Sequence, residues 1–232
     1  MIQWKKWFTG PGSCCLCDAP HRASSWSAVW ERVCPSCRCR LHRIDSPCCP
    51  RCGRAGIGSL CEDCLTGPGG ELERNVAVLQ YTAYPRELIH LYKYRGREHL
   101  ARPLAEMMAE RVFSAGIRAE AVTCVPLHPQ RLKERGFNQS ERLAQEAARH
   151  LGLPFIPTLK KVRSTPPQSK SSRWERMAML EEAFQSSDWK RIAGRVWLVI
   201  DDVYTTGATM VECARTLKRA GAQRIYSATL AR

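Results

Sequence analysis

Beyond residue 74 the chain alternates between short apolar runs and stretches with helical spacing. Val76 to Tyr81, Val122 to Pro126, Pro154 to Ile156, Val196 to Ile200 and Ile225 to Thr229 are short apolar runs of the length buried strands have. Between them, Pro85 to Tyr94, Leu100 to Ser114, Ser140 to Leu151 and Val211 to Ala220 read as helices. In the second of these helices the apolar positions 104, 107, 108 and 112 fall on one face. Strands alternating with helices predict an α/β domain: a parallel sheet flanked by helices, with ligands collected at the C-terminal ends of the strands. Before this pattern begins, Thr66-Gly67-Pro68-Gly69-Gly70 breaks any regular period. The break predicts two units, a small one over residues 1–66 and the sheet domain over residues 67–232.

The first unit is explained by cysteine. Of 13 cysteines, all but Cys124 and Cys213 lie between Cys14 and Cys64. Met1 to Trp7 lacks the apolar core of a signal peptide, and no apolar run approaches the ~20 residues of a membrane span. The expected location is therefore the cytoplasm, with no membrane insertion, and cysteines there point to metal rather than disulfides. Four C-x-x-C pairs are present: Cys14/Cys17, Cys34/Cys37, Cys49/Cys52 and Cys61/Cys64. Four thiolates close one tetrahedral Zn²⁺ site, so four pairs predict a double zinc ribbon holding two structural ions. A sequential pairing joins the first two pairs and the last two, and a cross-braced pairing satisfies the spacing equally. Cys15, Cys39 and Cys48 are left over, and Cys48 competes with Cys49 as a ligand. The segment has few large apolar residues, so its folding depends on metal, at ~10 kcal/mol per site.

The densest chemistry lies at residues 196–209. The apolar run Val196 to Ile200 ends in Asp201 and Asp202, and Thr205-Thr206-Gly207-Ala208-Thr209 then opens into a helical pattern. Hydroxyls, backbone N–H groups and the positive end of a helix dipole suit a phosphate. Adjacent carboxylates suit a sugar diol, a hydrated Mg²⁺, or both. The combination describes a ribose 5-phosphate. An acid pair alone is commonly a turn and helix cap. A nucleotide-hydrolase reading needs G-x-x-x-x-G-K-[ST], which the chain does not contain.

Two further segments add cations. In Pro126 to Ser140, Arg131 and Arg135 lie one helical turn apart, and their planar forks suit a pyrophosphate. Lys133 reads as a solvated charge, and His128 as a residue that orders its loop. Residues 157–176 lack apolar periodicity, and from Lys160 to Arg176 six basic residues face one acid. Such a segment suits a mobile loop closing over a reacting sugar, or a basic arm on DNA phosphates. The formal net charge of +14 is carried mostly by the sheet domain, +11 against +3 for residues 1–74, which fits a polyanionic ligand, a nucleic acid, or both.

The V-I-D-D-V-x-T-T-G-A-T string at 199–209 resembles the phosphoribosyl-pyrophosphate (PRPP) loop of the type I phosphoribosyltransferases. With the paired C-x-x-C segments, Lys93-Tyr94-Arg95-Gly96, the run V-P-L-H-x-x-R-x-x-x-R-G-F-N-Q at 125–139, and Thr165-x-x-Gln168, the whole chain is similar to the ComF family. The resemblance implies a type I phosphoribosyltransferase fold that binds PRPP with Mg²⁺, and a role in natural competence, the uptake and processing of transforming DNA. It implies that Asp201 and Asp202 hold the ribose hydroxyls and metal. Thr205, Thr206, Gly207, Ala208 and Thr209 would cradle the 5-phosphate, with Arg131, Arg135 and Lys93 on the phosphates. Arg163, Thr165, Gln168 and Arg176 would belong to the closing loop. An alternative expectation is a module without turnover that binds single-stranded DNA or a competence helicase, with PRPP as a regulatory or vestigial ligand. Two positions depart from the family pattern: Met179 stands in place of an Asn, and Glu182 in place of the Gly before Ala183-Phe184.

Overall fold

The structure, a computed structural model, describes residues 12–24, 27–45, 47–67, 70–94, 96–163, 180 and 182–232. In the Cys-rich segment two short helices, α1 (Pro35–Arg38) and α2 (Glu62–Thr66), each begin just after a cysteine of a C-x-x-C pair. The α/β region follows as β1 (Arg74–Leu79), α3 (Ala83–Tyr94), α4 (Ala101–Ser114), β2 (Ala121–Cys124), α5 (Pro129–Arg135) and α6 (Gln139–Leu151). It continues as β3 (Leu159–Lys161), β4 (Phe184–Ser186), α7 (Trp189–Ile192), β5 (Val196–Val203), α8 (Ala208–Arg219) and β6 (Arg224–Ala231). Strands β1, β6, β5 and β2 pair in that order as a parallel sheet, while β3 and β4 form a separate antiparallel pair. No helix among the described residues is long and apolar enough to cross a membrane.

The expected parallel sheet is present, with β1 at Arg74–Leu79 rather than Val76 to Tyr81 and with further differences at the sheet's ends. Val196 to Ile200 continues as strand to Val203, so both aspartates lie inside β5 rather than after it. Pairing with β6, Asp201 to Thr229 and Val203 to Ala231, carries the strand past the apolar run. Pro154 to Ile156 contributes a single parallel bridge, Phe155 to Val122, because Pro154 has no N–H to continue a ladder. The β3–β4 pair was hidden by the charge of Leu159 to Lys161 and the brevity of both strands.

Period-two alternation sends the side chains of β5 to two cores. Leu198 and Ile200 pack with Val76, Val78 and residues of α3, α4 and α6. Trp197 and Val199 pack with Ile225 and residues of α8. The Cys-rich segment joins both cores: Leu16, Val29, Val33 and Leu41 enter the first, and Cys49, Cys52, Cys61 and Cys64 the second. It also covers the outer edge of β1. Arg43 bridges Leu79 antiparallel, the Ile44 N–H donates to the Val78 carbonyl (2.8 Å), and the Asn75 N–H donates to the Arg51 carbonyl (2.7 Å). Gly53 is required there, because at φ +75° a Cβ would sit 3.1 Å from the Asn75 carbonyl oxygen.

Glu182, just before β4, has φ +54°, a left-handed conformation that disfavours a side chain with a Cβ. The departure from glycine noted in the sequence thus falls where glycine fits best. Its exposed carboxylate pairs with Arg163 at 3.6 Å, which contributes little in water. Glu182→Gly is expected to stabilise the protein by about 1 kcal/mol. A urea midpoint that falls instead would show that the ion pair outweighs the backbone strain.

Candidate functional site

Asp201 and Asp202 occupy the carboxyl end of β5, with side chains directed to opposite faces of the sheet in register with Val199 and Ile200. Each is met by a partner from a different element. Lys93, in the last turn of α3, forms an ion pair with Asp202. The Ser140 hydroxyl, in the first turn of α6, donates to Asp201 Oδ1 at 2.6 Å. The strand backbone adds the Asp202 N–H on Asp201 Oδ1 (2.9 Å) and the Val203 N–H on Asp202 Oδ1 (3.0 Å). Burial and the Asp202 charge push the Asp201 carboxyl up to about 7, against the opposing pull of Ser140 and Lys93. Burial acts to lower the Lys93 ammonium, but the Asp202 charge and hydrogen bond outweigh it, so its pKa rises.

Ser140 and Lys93 are in place because the ends of β2 and β5 are adjacent, Cys124 pairing with Ile200. The run Arg135-Gly-Phe-Asn-Gln-Ser140 builds the turn between α5 and α6. Gly136, at φ +80°, ends α5 in the left-handed region. Asn138 caps α6 by accepting from the Ser140 N–H (3.2 Å) and donates to the Val125 carbonyl (3.1 Å). Tyr92 of α3 donates its hydroxyl proton to the Gln139 carbonyl at 2.8 Å, which ties the Lys93 helix to this turn. The run at 125–139 thus builds a turn, and the residue that follows it, Ser140, contacts the acid pair. The sequence reading passed over Ser140; its signal was an Asn-x-Ser cap at the end of the second strand's loop.

After β5 the chain turns through Tyr204 to Gly207. Gly207 is the N-cap of α8 at φ +83° and has no side chain to cap it, while Thr206 Oγ1 accepts from the Ala208 N–H at 3.4 Å. A Cβ at position 207 would lie 2.2 Å from the Tyr204 hydroxyl, so only glycine fits. Thr205 is exposed, Thr206 and Thr209 half-buried, and Gly207 and Ala208 buried, which leaves the threonines at the surface of the cradle. The helix starts at Ala208, three residues earlier than the apolar pattern suggests, so Ala208 and Thr209 lie in its first turn. The cations divide. Arg135 donates to Gln139 Oε1 (2.8 Å) and to the Tyr94 hydroxyl (2.6 Å), so it braces α6 and α3. Arg131 lies one turn earlier on α5, half-buried. His128 is the N-cap of α5, its Nδ1 accepting from the Gln130 N–H at 3.4 Å, a loop-ordering contact as expected. Lys161, on β3, joins the surroundings of Asp201: burial and the Arg131 charge lower its pKa, opposed by Cys213 and Asp201. Its signal was the Lys160-Lys161 pair. Arg163 is exposed beyond β3, and Thr165, Gln168 and Arg176 lie outside the described residues.

The eight cysteines gather as two sequential groups, Cys14, Cys17, Cys34, Cys37 and Cys49, Cys52, Cys61, Cys64. Within each, all sulfurs lie within 4.8 Å of one another. Cys17 to Cys34 is 3.7 Å and Cys52 to Cys61 is 3.6 Å. Zn–S bonds of ~2.3 Å in a tetrahedron place sulfurs ~3.8 Å apart, so both groups fit zinc. Backbone N–H groups support the sulfurs: Cys34 on Cys14 (3.3 Å) and Cys61 on Cys49 (3.5 Å). Burial alone would raise Cys49, but the amides of Cys52, Cys61 and Arg51 outweigh it and bring the thiol down to about 6. Each group also receives a donor from the α/β region, the Tyr84 hydroxyl on Cys37 (2.8 Å) and the Arg232 guanidinium on Cys52 (3.1 Å). The remaining cysteine of the disputed pair, Cys48, stays outside the second group.

Comparison with known proteins agrees with this layout. Residues 138–232 match the family model described as a phosphoribosyl transferase domain. The chain is 36% identical over 222 residues to the DNA utilization protein YhgH of Salmonella typhi, covering 92% of this chain and 94% of that protein. It is 33% identical to the protein of the same name from Escherichia coli (strain K12), with the same coverage. It is 31% identical over 234 residues to the competence protein ComFC of Bacillus subtilis (strain 168), covering 94% of each.

Proposed function

The chain belongs to the ComF family and has the type I phosphoribosyltransferase fold, and on that premise we propose that it binds PRPP and acts in DNA uptake and utilization. The observation that carries the reading is the acid pair at the end of β5, a short loop before a helix start whose N-cap is a glycine. In this reading Asp201 and Asp202 accept hydrogen bonds from the ribose hydroxyls. Thr205 to Thr209 offer hydroxyl and amide donors to the 5-phosphate. Arg131, Arg135 and Lys93 offset charge on the pyrophosphate, and the loop of Arg163, Thr165, Gln168 and Arg176 excludes water. Mg²⁺, held beside the acid pair, would neutralise the pyrophosphate charge further. Each four-cysteine group holds one Zn²⁺, and residues 1–66 serve as a zinc-stabilised platform for the domain at 67–232. The cytoplasm is the compartment that suits thiols kept for metal.

Calorimetric titration of Mg-PRPP into the protein tests the reading, alongside the Asp201→Asn, Asp202→Asn double variant. The wild type is expected to bind, and the variant to lose at least about 100-fold, or about 3 kcal/mol. No heat with the wild type would remove the PRPP reading. A second reading, binding of single-stranded DNA with PRPP as a regulatory ligand, is favoured by one observation. Trp189 is exposed beside Lys190, whose ammonium lies 5.9 Å from the ring centre, on a domain that carries most of the net positive charge. Exposed aromatics on a basic surface suit base stacking. A single-stranded oligonucleotide should then lose more than about tenfold in affinity between ~50 and ~200 mM salt. A flat salt response would rule out phosphate contacts.

A further inference from the structure

Arg232, which follows β6, touches both the second four-cysteine group and the loop before α8. Its Nη2 donates to Cys52 Sγ at 3.1 Å. Its Nη1 donates to the Thr205 carbonyl at 2.7 Å and to the Tyr204 carbonyl at 3.4 Å. The guanidinium carbon lies 4.8 Å from the centre of the Tyr204 ring, and the Asp63 carboxylate of α2 is 3.9 Å away. The side chain is 7% exposed, so these contacts are made largely out of water. Tyr204 in turn occupies the space that a side chain at 207 would need, next to the start of α8. The contacts run without a gap from a metal-ligand sulfur, through one guanidinium, to the backbone of the 205–209 loop.

A guanidinium suits this position because its planar fork can present one edge to sulfur and another nitrogen to a carbonyl. An ammonium is a point charge and can serve one side or the other. Groups that donate to metal ligands fix those ligands and are felt in metal affinity. We propose that Arg232 is a positioning residue that couples metal occupancy of Cys49, Cys52, Cys61 and Cys64 to the geometry of the 205–209 loop, so that zinc there and a phosphate on the loop favour each other. The phosphate half rests on the PRPP reading; the metal and loop halves do not. With zinc in place, Cys52 is a fixed anionic acceptor that anchors the fork, and the fork holds the Thr205 carbonyl. With the metal gone, Cys52 can turn away, and the loop loses that anchor. Linkage makes the effect reciprocal: whatever the metal does for loop affinity, a loop ligand does for metal retention.

The test uses the zinc-loaded full-length protein, with Arg232→Ala and Arg232→Lys. Zinc release to a chelator is followed with a metallochromic dye, and amide hydrogen exchange is read by mass spectrometry. Both variants are expected to speed release of one of the two zinc equivalents about tenfold. They should also raise exchange across residues 203–210 while leaving peptides around Cys14 to Cys37 unchanged. Mg-PRPP should slow release of that same equivalent in the wild type and not in Arg232→Lys. Should Arg232→Ala fail to fold, Arg232→Lys, which keeps the charge, carries the test. The proposal is overturned if neither readout moves, if only one moves, or if exchange rises uniformly along the chain. Absence of PRPP binding to the wild type would count against the proposed function and the phosphate half alone, since the comparisons of zinc release and of exchange that decide the metal and loop halves are made without PRPP.

Discussion

Chelating zinc from both four-cysteine groups is expected to unfold the N-terminal unit and to lower the melting temperature of the sheet domain as well. The magnitude follows from comparing two scales. A structural zinc contributes ~10 kcal/mol to the fold it closes. A whole domain is stable by only about 5–15 kcal/mol. Loss of one ion is therefore enough to unfold its half of the ribbon. The effect does not stop at residue 66, because the two groups pack in different cores, Leu16, Val29, Val33 and Leu41 with α3 and α4, and Cys49 to Cys64 with α8. Circular dichroism melts with and without chelator, with released zinc counted in parallel, measure this. An unchanged melt after two equivalents have left would contradict it.

Lys93→Met is expected to cost about 3 kcal/mol, with the loss growing from acid to alkaline pH. Removing one partner of a buried pair typically costs ~3–5 kcal/mol, and Lys93, with 23% of its side chain exposed, belongs at the low end. The sign of the pH dependence comes from the acids. The folded-state pKa of Asp201 is raised from 3.8 to about 7, so its protonated form is favoured in the fold. Stability from that group is present below pH 3.8 and lost as pH rises through about 7. Lys93 opposes this loss and, with its own pKa raised above 10.5, remains charged throughout the window. Without it, the Asp201 carboxyl ionises beside Asp202 with the Lys93 charge gone from the pair. Urea denaturation at about pH 5 and pH 8 should therefore show the larger deficit at pH 8, and Asp202→Asn in the same chain should recover most of it. Equal deficits at both pH values would assign Lys93 a packing role only.

These two results depend on features of different legibility. The two four-cysteine groups could be read from spacing, because C-x-x-C turns have one common purpose and the ligands lie close in the chain. Only their pairing needed three dimensions, and proximity within 4.8 Å decides for the sequential arrangement. The sheet was legible because buried parallel strands are continuous apolar runs. Its ends were not, since Asp201 to Val203 remains strand through hydrogen bonding to β6, which no hydropathy pattern records. The acid pair and the loop leading to a helix were legible as a local string, though the helix begins three residues before its apolar pattern. The partners of the acids were not: Ser140 and Lys93 approach from 61 and 109 residues away, through the adjacency of β2 and β5 and the packing of α3. Arg135 stands out by residue type and spacing, but its partners in the fold, Gln139 and Tyr94, do not. Glu182 shows the opposite, a departure in sequence that coincides with a strained backbone angle.

The segment that covers the outer edge of β1 has a consequence for how this protein fails. While His42, Ile44 and Arg51 lie against that strand and its end, the Asn75 N–H, the Val78 carbonyl and the Gln80 N–H are occupied. Val76, Ala77, Val78 and Leu79 form an apolar run with no proline or charge to discourage a foreign strand. If the Cys-rich segment peels away, the bared strand is a template for another copy's strand. Zinc starvation would then yield clumped, sheet-linked protein rather than a dispersed half-folded monomer, and a metal in these groups would guard solubility as well as shape.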